Sequence, residues 1–137
     1  QDDLAVAKKI LSEKDVSIVL VKYGKIWKEK KGMGIKPILE LIEEMGEEFG
    51  EYVVGDRILG RASAFLCRYG KVRGVYSPQA TKTAIAILIL GGIPCQVDEL
   101  VPFIKNRNGT GNCPFEELLK DVKEPEKAYK ILKERIL

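Results

Sequence analysis

Short β-branched runs that alternate with longer segments of helical periodicity are the feature that most constrains the fold of this chain. The helical segments space their apolar residues on one side, as Leu4, Ala7 and Leu11 do within residues 2–13. The other runs have the length and composition of strands, and they are VSIVLV (16–21), IWKEK (26–30), KVRGVY (71–76) and IPCQV (93–97). Interleaved strands and helices predict an α/β protein.

Caps and glycines predict where the helices begin and end. Asp56 is predicted as the N-cap of a helix over 57–69, with Gly60 inside it, and residues 46–56 as a glycine-punctuated connection. TKTAIAILILGG (81–92) predicts a short helix that is buried on most sides. Pro37, Pro114 and Pro125 each suit the first turn of a further helix. The element order predicts a three-layer α/β/α sandwich with a mixed sheet, formed by residues 1–137 as a single domain.

Composition narrows the range of partners. A net charge of +3 is short of a nucleic-acid-binding footprint, so nucleic acid is not an expected partner, and KYGKIWKEKK (22–31) is interpreted as a solvated hairpin. The run AIAILIL is too short to cross a membrane, and no secretory signal is visible at the start of the sequence. Three cysteines without a CxxC pair indicate the cytoplasm. Abundant Lys, Glu and Ile with few Gln are typical of a thermophile.

The chain contains no histidine. Within one chain, this absence excludes Ser-His and Cys-His catalysis and histidine metal ligands, and we expect neither a bound metal nor another cofactor. Acid–base chemistry is left to Asp, Glu, Lys, Cys or Tyr.

IKNRNGTGNCPFEELL (104–119) has more polar and glycine residues than a plain connection needs. Its glycines suit a tight turn and close backbone approach, and Cys113 precedes Pro114 where a helix N-cap is expected. The predicted ligand-binding residues of this loop are Asn106, Arg107, Asn108, Gly109, Thr110 and Gly111.

This loop has three possible interpretations. One is a tight turn with a small capping residue, and the other two are functional. Free amides at a helix start favour a Cys113 thiolate, with Arg107 adding positive charge and Glu116 and Glu117 opposing it. The same amides could instead hold an anion or carboxylate, with the guanidinium of Arg107 as a bidentate hydrogen-bond donor. Cys67 and Cys95 are interpreted as core residues.

The chain resembles a family of unknown function, DUF1893, over nearly its whole length. The resemblance lies in the element order, the segment VPFIKNRNGTGNCPFE (101–116) and the helix start DRILGRASA (56–64). The resemblance implies a cytidine-deaminase-like fold and adds Asp56, Gly60 and Arg61 as ligand-binding candidates. The family pattern commonly has Asp where this chain has Asn108.

Zinc-dependent deamination requires H-x-E at one helix start and P-C-x-x-C at the next. Here the helix starts are DRILGRA and SPQATKT, and neither contains the motif that supplies the zinc ligands. The sequence therefore predicts a metal-independent deaminase-like domain that binds a small ligand, nucleotide-like or anionic. An enzyme with Cys113 as nucleophile or redox thiol is one alternative. A structural or interaction domain, dimeric through the hydrophobic helix at 83–90, is another.

Overall fold

A mixed six-stranded sheet with helices on both faces forms the body of the protein. The structure is a computed structural model that describes residues 2–32, 34–103 and 114–137. The strands are β1 (Ile18–Lys22), β2 (Lys25–Lys30), β3 (Val53–Asp56), β4 (Ile58–Leu59), β5 (Gly74–Ala80) and β6 (Cys95–Leu100). The helices are α1 (Asp3–Glu13), α2 (Lys36–Met45), α3 (Arg61–Gly70), α4 (Lys82–Leu90), α5 (Pro114–Leu118) and α6 (Pro125–Ile136), with a 3₁₀ turn at Gly46–Glu51.

The sheet is antiparallel on one side and parallel on the other. β1 pairs in antiparallel fashion with β2 and β3, and β5 pairs in parallel with β3, β4 and β6. β3 and β4 both lie along β5, β3 beside residues 74–76 and β4 beside residues 79–80. They therefore act as one strand that is interrupted at Arg57.

Alternation along the strands divides the core into two layers. Val19 and Val21 of β1 face α1, where they pack with Ala7 and Leu11. Their neighbours in β1 face the opposite way and join the larger core made by the other five helices. This period of two is the reason that one short buried strand serves both faces of the sheet. The described part of the chain is thus a three-layer α/β/α sandwich.

Close packing of α1 on the sheet depends on Gly55 in β3. A Cβ atom placed there would lie 2.8 Å from Cγ2 of Val19 and 3.0 Å from Cβ of Ala7. The helix can therefore approach the strand only because residue 55 lacks a side chain.

Asp3 ties three elements together on the α1 side. Its carboxylate accepts a hydrogen bond from the backbone N–H of Gly24 at 2.8 Å and from the guanidinium of Arg73 at 2.6 Å. Gly24 and Tyr23 form the tip of the β1–β2 hairpin, and both have positive φ. The predicted hairpin is therefore confirmed, and its turn is anchored to α1 and, through Asp3, to Arg73, the residue before β5.

Three predictions from the helix patterns are wrong. Residues 46–56 are not only a connection, because they include the central strand β3. Asp56 ends that strand and is not a helix N-cap, while α3 begins at Arg61 with Gly60 as its N-cap. The helix at 81–92 is α4, and it is not buried on most sides, because Ile89 and Leu90 are exposed. The run VVGD was misassigned because Gly50 precedes it and Gly55 interrupts it.

Candidate functional site

The carboxyl ends of the parallel strands meet the start of α3 at one edge of the sheet. β3 ends at Asp56, and α3 begins five residues later at Arg61. Ligands of open α/β sheets bind at this edge, outside the strand ends. We call the residues gathered here the α3-start site, and they are Asp56, Gly60, Arg61, Ser63, Cys67 and Glu116.

Asp56 has the most strongly perturbed carboxyl of this site. Because of its position in β3, it faces α3, where the hydroxyl of Ser63 donates a hydrogen bond to it. The backbone N–H of Ile58 donates another. Burial raises the pKa of Asp56 to about 7, and the two hydrogen bonds oppose this rise. Near neutral pH the carboxyl can therefore either accept or donate a proton.

Cys67 lies one helical turn after Ser63 and is fully buried. Burial raises the pKa of its thiol well above the ordinary value, and the negative charge of Asp56 raises it further. The prediction that Cys67 is a core residue is confirmed, and the thiol is held protonated. Cys95 is partly buried and packs against the same core.

Glu116 supplies the cap that α3 lacks in its own sequence. Gly60 has no side chain to cap the helix, and the carboxylate of Glu116 accepts from the backbone N–H of Arg61 at 2.7 Å. The backbone N–H of Ala62 also donates to it. Burial raises the pKa of Glu116, whereas these hydrogen bonds lower it. An anionic group from α5 therefore occupies the positive end of α3.

Arg61, a ligand-binding candidate, is partly buried at the start of α3. Its Nη1 donates to the carbonyl of Leu119 at 3.3 Å. Its Nε is enclosed and has no hydrogen-bond partner among the residues that the structure describes. A buried donor without a partner is costly, and an acceptor placed beside it would remove that cost.

The predicted site residues of the loop lie outside the described residues. They are Asn106, Arg107, Asn108, Gly109, Thr110, Gly111 and Cys113. What the structure describes is their flanks. β6 ends at Leu100 at the carboxyl edge of the sheet, and α5 begins at Pro114 and packs against α3. Of the predicted site residues, Asp56, Gly60 and Arg61 therefore belong to one edge. Glu116 was expected only to oppose a Cys113 thiolate, and no local signal indicated that it caps α3.

Arg57 reaches the other face of the sheet from its position directly after Asp56. Its guanidinium donates to the carbonyls of Leu11 and Lys14, each at 2.8 Å, and its Nε donates to that of Val16 at 2.9 Å. It thereby holds the carboxyl end of α1. Sequence reasoning missed this role, because it placed Arg57 in a helix.

A cavity of about 410 Å³ lies at the opposite end of α3. Arg68 and Lys71 line it together with Glu124 and Glu126. The mixture of two cations and two anions gives it no marked preference for one charge, and it is remote from Asp56. We therefore place the candidate site at the start of α3 and not in this cavity.

Two further properties bear on the class of site. Among residues 2–32, 34–103 and 114–137, no three Cys, Asp or Glu side chains come together in a way that could hold a metal ion. Within the same ranges, no helix has the length and apolar character needed to cross a membrane.

Fold and site together define an α/β protein with a mixed open sheet, in which a histidine-free cluster lies where the parallel strands end. The model of the family described as domain of unknown function DUF1893 (TM1506) matches residues 6–136, and the chain belongs to that family. A similar crystal structure is that of a DUF1893 family protein (TM1506) from Thermotoga maritima, with 28% sequence identity and a TM-score of 0.88. The match covers 98% of this chain and 90% of that one. No curated protein matches the chain.

Proposed function

We propose that this chain is a metal-independent deaminase-like domain that binds a small anionic or nucleotide-like ligand at the α3-start site. The ligand's anionic group takes the position that Glu116 occupies, at the backbone amides of Arg61 and Ala62. The loop at 106–113 contributes further contacts, with Arg107 and Asn106 fixing the polar part of the ligand. A contribution of residues 109–111 to this site stays a prediction from the sequence.

One observation carries this proposal, namely the carboxylate of Glu116 on the first amides of α3. These amides and the helix dipole favour an anion, and a carboxylate already satisfies that preference from within the chain. Glu116 belongs to α5, a helix of only five residues. The raised pKa of Glu116 means that burial makes its charged form costly there. A ligand phosphate or carboxylate would find the same two amide donors there.

The guanidinium of Arg61 supports the same conclusion. Its enclosed Nε lacks an acceptor within the described ranges, and its Nη1 makes one long hydrogen bond to Leu119. A guanidinium with unused donors beside helix-terminal amides is suited to bind an oxyanion.

The two helices that begin at this edge argue against zinc chemistry. α3 begins with RASAF and α4 with KTAIA, and neither has a histidine or cysteine in its first turn. A zinc deaminase needs three such ligands and a glutamate that carries protons. Nothing in the deaminase-like interpretation therefore requires a metal.

The test is thermal unfolding in the presence of inorganic phosphate, succinate and the 5′-monophosphates of the four ribonucleosides, each at millimolar concentration. A ligand at a hundredfold excess over its Kd stabilises the folded state by about 2.7 kcal/mol. For a chain of this size, that is a rise in Tm on the order of 10 °C. We expect at least one of these compounds to raise Tm in a saturable manner.

Matched variants locate the binding. Arg61→Gln and Arg107→Ala should each reduce the shift, whereas Arg135→Gln, on the exposed last turn of α6, should leave it unchanged. Glu116→Gln should raise the affinity for the anion, because an uncharged side chain competes less well for the amides of α3. A panel that moves Tm in neither the wild type nor Glu116→Gln overturns the proposal. So does a shift that Arg61→Gln and Arg107→Ala leave intact.

A second candidate function follows from Asp56. A carboxyl with a pKa of about 7 is suited to general acid–base catalysis at neutral pH. Cys113 as nucleophile or redox thiol stays a prediction from the sequence, and Asp56 would then serve as the group that handles protons. The rate of Cys113 alkylation against pH tests it, with a midpoint below about 7 expected for an activated thiol and one near 8.5 arguing against it.

A further inference from the structure

The cavity at the far end of α3 has the size of a small-molecule site. Its volume is about 410 Å³, and pockets that bind small molecules typically measure about 300–1,000 Å³. Three buried apolar residues contribute to its lining, namely Val72, Ile93 and Pro125. An apolar group of a ligand that packs against them is removed from water, which favours binding.

Four charged residues line the same cavity, two of each sign. The cations are Arg68 and Lys71 at the end of α3, and the anions are Glu124 and Glu126 at the start of α6. In the part of the chain that the structure describes, none of the four side chains forms an ion pair or a hydrogen bond. Opposite charges thus share one cavity without neutralising each other.

Two glycines at the end of α4 shape the wall of the cavity beside Arg68. A Cβ atom placed on Gly91 would lie 2.7 Å from both Cγ and Nε of Arg68, so this side chain lies directly against the glycine. At Gly92, a Cβ atom would have no neighbour within 4 Å, which leaves room above that residue. The missing side chain at residue 91 therefore gives Arg68 its position in the wall.

We propose that this cavity binds a small zwitterion with an aliphatic body, which is the chemistry of a free aliphatic α-amino acid or a short apolar peptide. The carboxylate of the ligand binds the guanidinium of Arg68, which can donate two parallel hydrogen bonds to it, and Lys71 adds a second positive charge. The ammonium group of the ligand binds the carboxylates of Glu124 and Glu126. The aliphatic body packs against the apolar part of the lining.

The balance of charges favours a zwitterion over a simple anion or cation. An anion bound by Arg68 would be repelled by the two glutamates, and a cation bound by the glutamates would be repelled by Arg68 and Lys71. A zwitterion places an opposite charge beside each pair and so avoids both repulsions. The cavity lies at the opposite end of α3 from the α3-start site, and this proposal therefore does not depend on the proposed function.

Amide NMR spectra of the full chain, titrated with L-leucine at millimolar concentrations, test the proposal. The amide signals of Gly91, Gly92 and Glu126, which line the cavity, should shift in a saturable manner. N-acetyl-L-leucine lacks the ammonium group and L-leucinamide lacks the carboxylate, so each should bind about tenfold or more weakly, the effect of losing one charge-assisted contact. L-leucyl-L-leucine is titrated beside them, and the tighter of the two zwitterions distinguishes an amino acid from a peptide.

Gly91→Ala is the most specific variant. The φ of −88° at Gly91 suits alanine, and the nearest atoms that the added methyl group would meet belong to the side chain of Arg68. This variant should displace the guanidinium and weaken leucine binding about tenfold without changing any charge. Arg68→Gln and Glu126→Gln should each weaken binding as well. Arg135→Gln, on the last turn of α6, is the matched control and should leave the affinity unchanged.

Three results would overturn the proposal. The first is the absence of a saturable shift with either zwitterion in the wild type. The second is binding of N-acetyl-L-leucine or L-leucinamide as tight as that of L-leucine, because a single charge would then suffice. The third is undiminished binding in both Gly91→Ala and Arg68→Gln, because the ligand would then lie elsewhere. Arg61→Gln, which is expected to weaken anion binding at the α3-start site, should leave leucine binding intact and so keeps the two proposals apart.

Discussion

Replacing Asp56 by asparagine is expected to change how the stability of the protein depends on pH. Burial raises the pKa of the Asp56 carboxyl from 3.8 to about 7, although Ser63 and Ile58 donate hydrogen bonds to it. In the unfolded chain the carboxyl returns to its ordinary value. Between these two pH values, the folded protein binds a proton that the unfolded chain has released.

The sign and size of the effect follow from this difference. The free energy of unfolding must decrease as pH rises through the window, because there the folded state binds more protons than the unfolded chain does. The contribution of Asp56 is fully present below about pH 4 and is lost as pH passes about 7. The difference between 3.8 and about 7 corresponds to about 4 kcal/mol, at about 1.4 kcal/mol for each tenfold change in proton affinity. Asp56→Asn cannot ionise and should lack this dependence.

Urea unfolding of the wild type and Asp56→Asn, from about pH 4 to about pH 8 at constant ionic strength, measures the effect. Relative to the wild type, the variant should gain stability steadily across the window and should be the more stable protein above pH 7. Asp98→Asn is the control. The hydroxyl of Tyr76 and the ammonium of Lys8 lower the pKa of Asp98, so its contribution is lost only at acidic pH. A wild-type–Asp56→Asn difference that stays constant from pH 4 to pH 8 would refute the argument that Asp56 is desolvated.

Three further variants or measurements test the packing around the site. Glu116→Ala removes the cap of α3 and should lower the free energy of unfolding by about 1 kcal/mol, as measured by urea unfolding at neutral pH. An unchanged free energy of unfolding would contradict the capping role. Gly55→Ala inserts a methyl group between Val19 and Ala7 and should cost about 1–3 kcal/mol in the same assay, and a stabilised variant would show that α1 can shift freely. The thiol of Cys67 should resist alkylation in the folded protein, whereas that of Cys95 should react slowly, and peptide mass spectrometry would detect both. Rapid labelling of Cys67 would show that the core around it opens.

The outer elements could be predicted from the sequence, but the central strand could not. The hairpin and α1 are recognisable because β-branched runs and apolar spacing are local signals. β3 is only four residues long and includes Gly55, which serves the packing of α1 and weakens the strand signal. Tertiary contacts overrode local propensity there. The error then carried over to Asp56, which the sequence placed at a helix start and the structure places at a strand end.

For the candidate site, the sequence indicated several of the residues but not the contacts between them. Asp56, Gly60 and Arg61 were named from a resemblance, and they do lie at one edge of the sheet. The contact of Glu116 with the start of α3 joins positions 55 residues apart, and no local pattern encodes such a pair. Arg57 was missed for the same reason, since its partners are the carbonyls of α1 and of the segment that follows it.

Asp56 and Arg57 are consecutive residues that engage opposite layers of the sandwich, and this has a consequence for communication through the protein. The carboxyl of Asp56 faces α3, whereas the guanidinium of Arg57 holds the carbonyls of Leu11 and Lys14. A shift of this short backbone segment on ligand binding would therefore be transmitted through the sheet to the far side of the molecule. Amide hydrogen exchange at the end of α1 would then report on events at a site that faces the opposite layer of the sandwich.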